Sequence, residues 1–541
     1  MFQKLSKLWH GQTNGIAAAA FVVGVASLSS RLVGVLRDRA LASAFGAGTT
    51  LDAYYAAFRV PDMLYNLIIL GALSAGFIPV FSEYLATHER REAWKLAEET
   101  LSVVGITMIV ACVLLALLSP VIVPLIVPGF EGEKLALTIK LSRIMFLSPF
   151  FLGLSAVMGG ILQATRRFLA FALAPVVYNL AIIFGVIVFA PRFGIEGVAW
   201  GVVLGAFLHC IVQAAVALRL GVQRIPRPSF HHEGVRRILK LMLPRTAGLA
   251  VSQLNLVILL IFASVLPAGS VAVFNLANNL QSFPVGLIGI SFAIAAFPLL
   301  TSAVTRKDYA GFAQTLDSAA RKIVFFILPA TALFFLLRAQ IVRLAFGAGV
   351  FSWDDTIRTA TVLGVFLFSL LGQALVPLLA RAFYAHQNTL TPLWIGVVAE
   401  IVNIGLAFAL RGTYGIVGLT IAFSVATYVN GLLLFMALER RYGQMKKRDF
   451  FSSVVKTAVA SLAIIVAGYP FRQALGTVFP LRTFWQVALQ AGVAGCAGLV
   501  AFFVVAWLVK SPELRELHIS INRRLFRQGS AVTGAEEAQG V

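Results

Sequence analysis

Apolar residues run in blocks of about 20 from Ile16 to Val509, separated by short polar connections. The blocks are continuous rather than alternating, which excludes a membrane β-barrel built from ~10-residue alternating strands. Fourteen blocks are long enough to cross a hydrocarbon core of about 30 Å, which predicts an all-α polytopic membrane protein. The first six lie near 16–36, 53–81, 101–126, 137–162, 168–190 and 195–218. Six more lie near 241–265, 271–302, 321–346, 359–384, 391–410 and 414–438, and two follow at 453–471 and 484–509.

Composition agrees, with 59% hydrophobic and only 12% charged residues among 541. Polar Ser29, Ser30, Arg31, Arg37 and Asp38 follow the first apolar stretch without a cleavage pattern, so Ile16–Leu36 reads as a retained helix and not a signal peptide. The net charge of +21 would suggest nucleic acid in a soluble protein. Here most of the Lys and Arg fall in the termini and the loops after even-numbered spans, including Arg236-Arg237-Lys240 and Arg440-Arg441 with Lys446-Lys447-Arg448. That distribution places both termini in the cytoplasm and removes nucleic acid as a partner. Cys112, Cys210 and Cys496 sit in apolar runs and read as buried small hydrophobes. No HExxH, Walker A or nucleophile-elbow pattern occurs, and no extramembrane segment has room for a catalytic domain, so an enzyme is not expected.

The chain is doubled at an offset near 220 residues. Gly194-Ile195-Glu196-Gly197 is echoed by Gly415-Ile416-Val417-Gly418, and Gln163-Ala164-Thr165 by Tyr384-Ala385-His386. Phe77-Ile78-Pro79 and Ala296-Phe297-Pro298 match in the same order. This predicts an N-lobe over 16–220, a basic linker over 221–240 and a C-lobe over 241–440, two six-helix lobes in parallel orientation. Two extra helices follow within 441–510. Segment 1–15 is a cytoplasmic N-terminus, and 511–541 is a tail that begins amphipathic and becomes disordered from Gln528.

Ionisable residues at membrane depth face a cavity or a partner. The first two spans hold Arg31, Arg37, Asp38, Asp52, Arg59 and Asp62. Arg31 and Asp38 are seven apart on one helix face, and Arg59 and Asp62, three apart, are placed to pair. Two readings stand: an Arg-bearing lining that grips phosphate groups, or structural salt bridges with interfacial snorkelling. The stretch 246–305 carries no charge and offers only hydroxyls and amides, among them Asn278 and Asn279. In the eleventh span Glu400 and Asn403 share a face, as a candidate cation or proton site or as a pair with a neighbouring helix. No metal site or cofactor is expected.

At Ser30-Arg31-Leu32-Val33-Gly34-Val35-Leu36-Arg37-Asp38, Phe45-Gly46-Ala47-Gly48, Asp52-Ala53 and Ala57-Phe58-Arg59-Val60-Pro61-Asp62, the sequence resembles the lipid II flippase (MurJ/MviN) family of the MOP exporter superfamily. Leu243-Pro244-Arg245, Ser252-Gln253-Leu254-Asn255, Phe383-Tyr384-Ala385 and Thr389-Leu390-Thr391-Pro392 continue the likeness to about residue 440. The resemblance implies a flippase of the bacterial cytoplasmic membrane. It would carry an undecaprenyl-diphosphate-linked peptidoglycan precursor outward by alternating access, with membrane lipids and peptidoglycan synthesis enzymes as partners. By position it implies roles for Arg31 and Arg37, which match functional arginines of the first helix, and for Asp52, which matches an acidic residue after the Phe-Gly-Ala-Gly turn; with Asp38, Arg59, Asn278 and Asn279 from the polar positions above, these are the candidate substrate contacts. The chain departs from the family pattern at Tyr65-Asn66 (an arginine-containing segment), Leu70 (a glutamate), Leu259 (an acidic residue of a sodium site in some members) and Asn279 (an arginine). Those departures leave two alternatives standing, a non-transporting scaffold for envelope synthesis and an exporter of another lipid-linked glycan or a drug.

Overall fold

A chain that crosses lipid must satisfy its backbone hydrogen bonds internally, and this one does so with helices throughout. The computed structural model describes residues 16–67, 76–222, 232–442, 447–479 and 483–526, and no strand occurs among them. The elements are α1 (Ile16–Phe45), α2 (Thr49–Tyr65), α3 (Ile78–Thr87), α4 (Arg90–Ile126), α5 (Gly132–Ala164), α6 (Phe168–Phe193), α7 (Ile195–Leu220) and α8 (Glu233–Ser264). They continue as α9 (Ser270–Thr305), α10 (Tyr309–Phe346), α11 (Trp353–Ala385), α12 (Leu390–Tyr442), α13 (Lys447–Val478), α14 (Phe484–Leu508) and α15 (Pro512–Phe526). Ten of the described helices are long and apolar enough to cross a membrane. One of these, α12, is two helices joined at Gly415 (φ +54°). The order is compatible with fourteen spans, the second being described in two pieces, α2 and α3.

Side-chain placement is that of a protein whose solvent is lipid. On α4, Ile106, Ile109, Val113, Leu117 and Val121 form an outward stripe at steps of three and four, while Gly105, Met108 and Cys112 face inward. Of the cysteines, Cys112 and Cys210 are buried as expected, but Cys496 is exposed on α14, where it is one more apolar group facing outward.

Two compact units emerge. The first comprises Met1–Asn279, Ala345–Thr359 and Ile404–Leu419; the second comprises Leu280–Leu344, Ala360–Asn403 and Thr420–Val541. In the first, α6 packs against both α1 and α7. A Cβ on Gly185 would sit 2.7 Å from the Gly201 Cα, so the α6–α7 backbones meet with no room for a side chain. At one end Phe77, Phe81, Trp94 and Leu96 form an apolar core. There Arg237 donates to Glu83 at 2.9 Å, and that hydrogen bond holds the exposed Glu83 carboxyl below the usual carboxylate range.

In the second unit α13 packs along α14, and Phe325, Leu336, Ile464, Ala494 and Phe502 form the core. The amphipathic stretch expected after the last span is α15. It is docked by Glu513, whose buried carboxylate accepts from Ser453 Oγ (2.7 Å) and Ser511 Oγ (2.9 Å), while Leu514 and Leu517 pack on the core. The tail expected to be disordered from Gln528 lies outside the described residues, as does segment 1–15.

The repeated turns share a backbone shape. Gly194 has φ +58°, ψ −145° and Gly415 has φ +54°, ψ −132°, at an offset of 221 residues (415 minus 194). Arg166 (φ +60°) and Gln387 (φ +57°) close corresponding helices at the same offset, 387 minus 166. Three residues after each repeated glycine, a Cβ on Gly197 would strike the Phe189 backbone and one on Gly418 the Leu410 backbone. Repeating a left-handed turn followed by a close helix contact requires glycine at the same two places in each copy.

Valine at Gly201 should destabilise the first unit by about 1–3 kcal/mol through overpacking against Gly185. Thermal denaturation in detergent would read this as a lowered midpoint; an unchanged midpoint would show that α6 and α7 do not meet there.

Candidate functional site

The polar residues of the first two spans gather in the first unit, on α1, α2 and the middle of α6. Arg37 leads the group: its Nε and one terminal nitrogen donate to Asp38 Oδ1 (3.0 and 2.7 Å), and the other donates to Asn179 Oδ1 on α6 (3.0 Å). Asp38 is buried and uses its second oxygen to accept from Asn279 Nδ2 on α9 at 2.8 Å. Adjacent residues on a helix point roughly 100° apart, but the length of the arginine stem lets the Arg37 fork fold back onto Asp38. The result is a charge pair completed by two amides, one each from α6 and α9.

Asp52, which opens α2, is almost wholly inaccessible and all its partners are built in. Its oxygens accept from the backbone N–H of Gly269 (2.7 Å) and Ala272 (2.8 Å), and Lys134 Nζ lies 2.9 Å away. Asp52 thus caps the amino terminus of α9 from a helix 217 residues earlier, where the helix dipole favours an anion. Two more contacts lie beside it, Val350 N to Ser43 O (2.9 Å) and Gly129 N to Ser264 Oγ (3.3 Å). With both oxygens taken, Asp52 has the surroundings of a structural clamp and not of a group open to a ligand.

Arg59 is the opposite case. Tyr55, Arg59 and Asp62 follow one another on one face of α2 at steps of four and three. Sequence spacing placed Arg59 to pair with Asp62, but no ion pair forms; Asp62 instead accepts from Asn66 Nδ2 at 3.0 Å. The Nε and one terminal nitrogen of Arg59 are buried with no hydrogen-bond partner among the described residues, and so is the Tyr55 hydroxyl. Tyr178 precedes Asn179 on α6, and Asn179 ties that helix to Arg37. Arg31, two turns before Asp38, is exposed, so the face the two share passes from open at Arg31 to closed at Asp38.

The remaining expected residues lie as follows. Asn278, beside Asn279, is half-buried. Asn403 is buried on α12 in the second unit, with its Nδ2 3.4 Å from the Glu400 carboxylate. Glu400 thus has a contact within its own helix turn. At the departures, Asn66 serves Asp62, Leu259 is a buried apolar residue, and Leu70 lies outside the described residues. No cluster of three metal-type ligands occurs among the described residues. Sequence reasoning missed Asn179, Tyr178, Tyr55 and Lys134. Tyr178-Asn179 is a polar pair in the middle of an otherwise apolar run, the one signal that would have found it.

Comparison with known proteins follows this geometry. The chain matches the family model described as lipid II flippase MurJ over residues 41–485, a stretch that takes in Asp52, Arg59, Asn279 and Glu400. It is 30% identical over 444 residues to the lipid II flippase MurJ of Burkholderia cenocepacia, covering 78% of this chain and 84% of that one. It is 29% identical over 529 residues to a probable lipid II flippase MurJ of Rhizobium meliloti, covering 95% and 97%. Its fold is similar to the inward closed conformation of a lipid II flippase MurJ (TM-score 0.76, 23% identity, 92% and 99% covered). It is also similar to an inward-facing MATE-family multidrug transporter of the MOP superfamily (TM-score 0.64, 20% identity, 79% and 99% covered).

Alanine at Asp52 should cost about 3–5 kcal/mol by leaving Lys134 and two amide donors buried without an acceptor. Adding Lys134→Met should recover part of the loss in a thermal melt. A variant that melts like the natural protein would remove the clamp assignment.

Proposed function

The chain belongs to the lipid II flippase MurJ family, and from that premise we propose that it moves an undecaprenyl-diphosphate-linked peptidoglycan precursor across the bacterial inner membrane. It is a multi-pass transporter of that membrane and not an enzyme. The observation that carries the reading is the family match over 41–485, which spans both copies of the internal repeat. Fold similarity to a lipid II flippase and to a multidrug exporter supports a transporter class and does not separate the two cargoes.

The site residues support an anionic head group. A guanidinium held in a membrane protein with two buried N–H groups unpartnered carries a standing desolvation cost, which a phosphate would offset through charge-assisted hydrogen bonds. We assign Arg59, with Tyr55 beside it, as the principal grip, and exposed Arg31 as the first contact on the open part of the α1 face. Arg37 and Asp38, already paired, set the shape of the patch, with Asn278 and Asn279 supplying amides from α9. Asp52 acts through the fold. The 16–220 and 241–440 lobes alternate access, the basic loops keep both termini in the cytoplasm, and Glu400 with Asn403 is the place where a cation or proton would couple. A basic cytoplasmic surface suits docking of peptidoglycan synthesis enzymes.

Complementation of a bacterium depleted of its own lipid II flippase tests the reading. The natural chain should restore growth, while Arg31→Ala with Arg37→Ala should not, at equal membrane abundance. Failure of the natural chain despite correct insertion would favour another cargo or a scaffold. Rescue by the double variant would remove the arginines from the mechanism. Arg59→Met gives a sharper discrimination: transport should be lost while the melting temperature holds or rises, because the variant removes two buried N–H groups that have no hydrogen-bond partner among the described residues. A large loss of stability would instead make Arg59 structural.

A further inference from the structure

A second cationic cluster lies in the other unit, on helices that the site above does not use. Arg338 on α10 and Arg472 on α13 anchor on successive carbonyls of α10. Arg338 donates one terminal nitrogen to Phe335 O and Arg472 one to Leu336 O, each at 2.9 Å. The guanidinium carbons stack 4.7 Å over the Phe335 ring and 4.9 Å over the Tyr469 ring. Neither arginine pairs with a carboxylate among the described residues. The placement is built and not incidental. Buried Gln490 of α14 donates to the Arg472 carbonyl (2.7 Å) and accepts from Gln340 of α10 (2.8 Å), and Arg338 lies against Gly364 of α11, where a Cβ would be 3.2 Å from its Cδ.

Both residues stand six to eight positions from the helix ends at Phe346 and Val478, hence roughly 9–12 Å in at 1.5 Å per residue. Arginines near the ends of spanning helices are the ones whose side chains reach the head-group region. Two arginines anchored on successive α10 carbonyls with no acid within ion-pair distance lack a counter-charge there, and a planar fork matches a phosphate.

We infer that Arg338 and Arg472 form a binding site for the phosphate group of an anionic lipid in the leaflet reached by Phe346, Val478 and Phe484. The ring stacking fixes both forks, and the carbonyl contacts use one nitrogen of each, leaving the others for the ligand. Use of this site by a transported lipid diphosphate would rest on the flippase reading; lipid binding itself does not.

The test uses the full chain in phosphatidylcholine nanodiscs containing a few per cent phosphatidic acid, with retained lipid counted by native mass spectrometry. Arg338→Gln with Arg472→Gln should lower phosphatidic acid retention roughly ten-fold or more, the loss expected from one or two charge-assisted hydrogen bonds. Arg338→Lys with Arg472→Lys, keeping charge without the fork, should lie between, and it serves in place of the glutamine pair if that variant does not fold. Arg306→Gln with Arg440→Gln, which removes equal charge elsewhere, should leave retention unchanged. Undiminished retention in the arginine variants would overturn the proposal, as would an equal drop in the control pair. Complete displacement by millimolar inorganic phosphate would show a site for the free ion and overturn the lipid assignment. Because no transport is measured, failure here leaves the flippase reading untouched, and failure of complementation leaves this site untouched.

Discussion

A charge held among membrane-spanning helices must be answered by an opposite charge, by aligned backbone dipoles, or by a ligand. Its charged residues sort by that constraint. Asp52 is answered three times, by Lys134 and by two amides at the amino terminus of α9. Asp38 is answered by Arg37 and Asn279, and Glu513 by two serine hydroxyls. These groups fasten α1, α2, α9 and α15 to their neighbours. Arg59, Arg338 and Arg472 have no carboxylate within ion-pair distance among the described residues. The first class holds the helices in place, and the second is where the proposed anion contacts are assigned.

The cost of the second class explains its position. Packing can hold a guanidinium without a counter-ion only where the neighbouring helices are already fixed, since local relaxation would otherwise bring a partner to it. Arg59 lies ten residues into α2, a helix pinned at its start by the Asp52 clamp. Arg338 and Arg472 lie where Gln340 and Gln490 join α10, α13 and α14. In each case a satisfied polar contact stands beside a guanidinium without a carboxylate partner, and preorganisation against stability is the familiar exchange at binding sites.

How much of this was legible in the sequence follows from the range of each interaction. The helical membrane class was legible because apolar length is a local property. So were the repeated glycines, because a left-handed turn and a close helix contact each demand that residue. The end of α1 was not: the apolar run stops at Leu36, yet the helix continues to Phe45 because Arg37 and Asp38 satisfy each other inside the protein. The role of Asp52 was hidden for the same reason at longer range, its partners lying 82 and 217 residues away. Arg59 and Asp62 have the spacing of a helical ion pair, but Asn66, one turn beyond Asp62, takes the carboxylate first. Spacing identifies which residues can meet and does not rank the competitors.

Asn279 stands where the resemblance implies an arginine, and the same terms apply to it. An arginine at that position would put a second cation on Asp38, leaving net positive charge on α9 for an anion. With asparagine, Arg37 neutralises Asp38, and Asn279 contributes a neutral donor that closes the carboxylate off. On the proposed function, the cations that would meet an anionic head group lie on α1 and α2, where Arg31 is exposed and two buried Arg59 nitrogens have no hydrogen-bond partner among the described residues. Asn66 supplies the hydrogen bond to Asp62, and two nitrogens of the Arg59 guanidinium are left without a hydrogen-bond partner among the described residues.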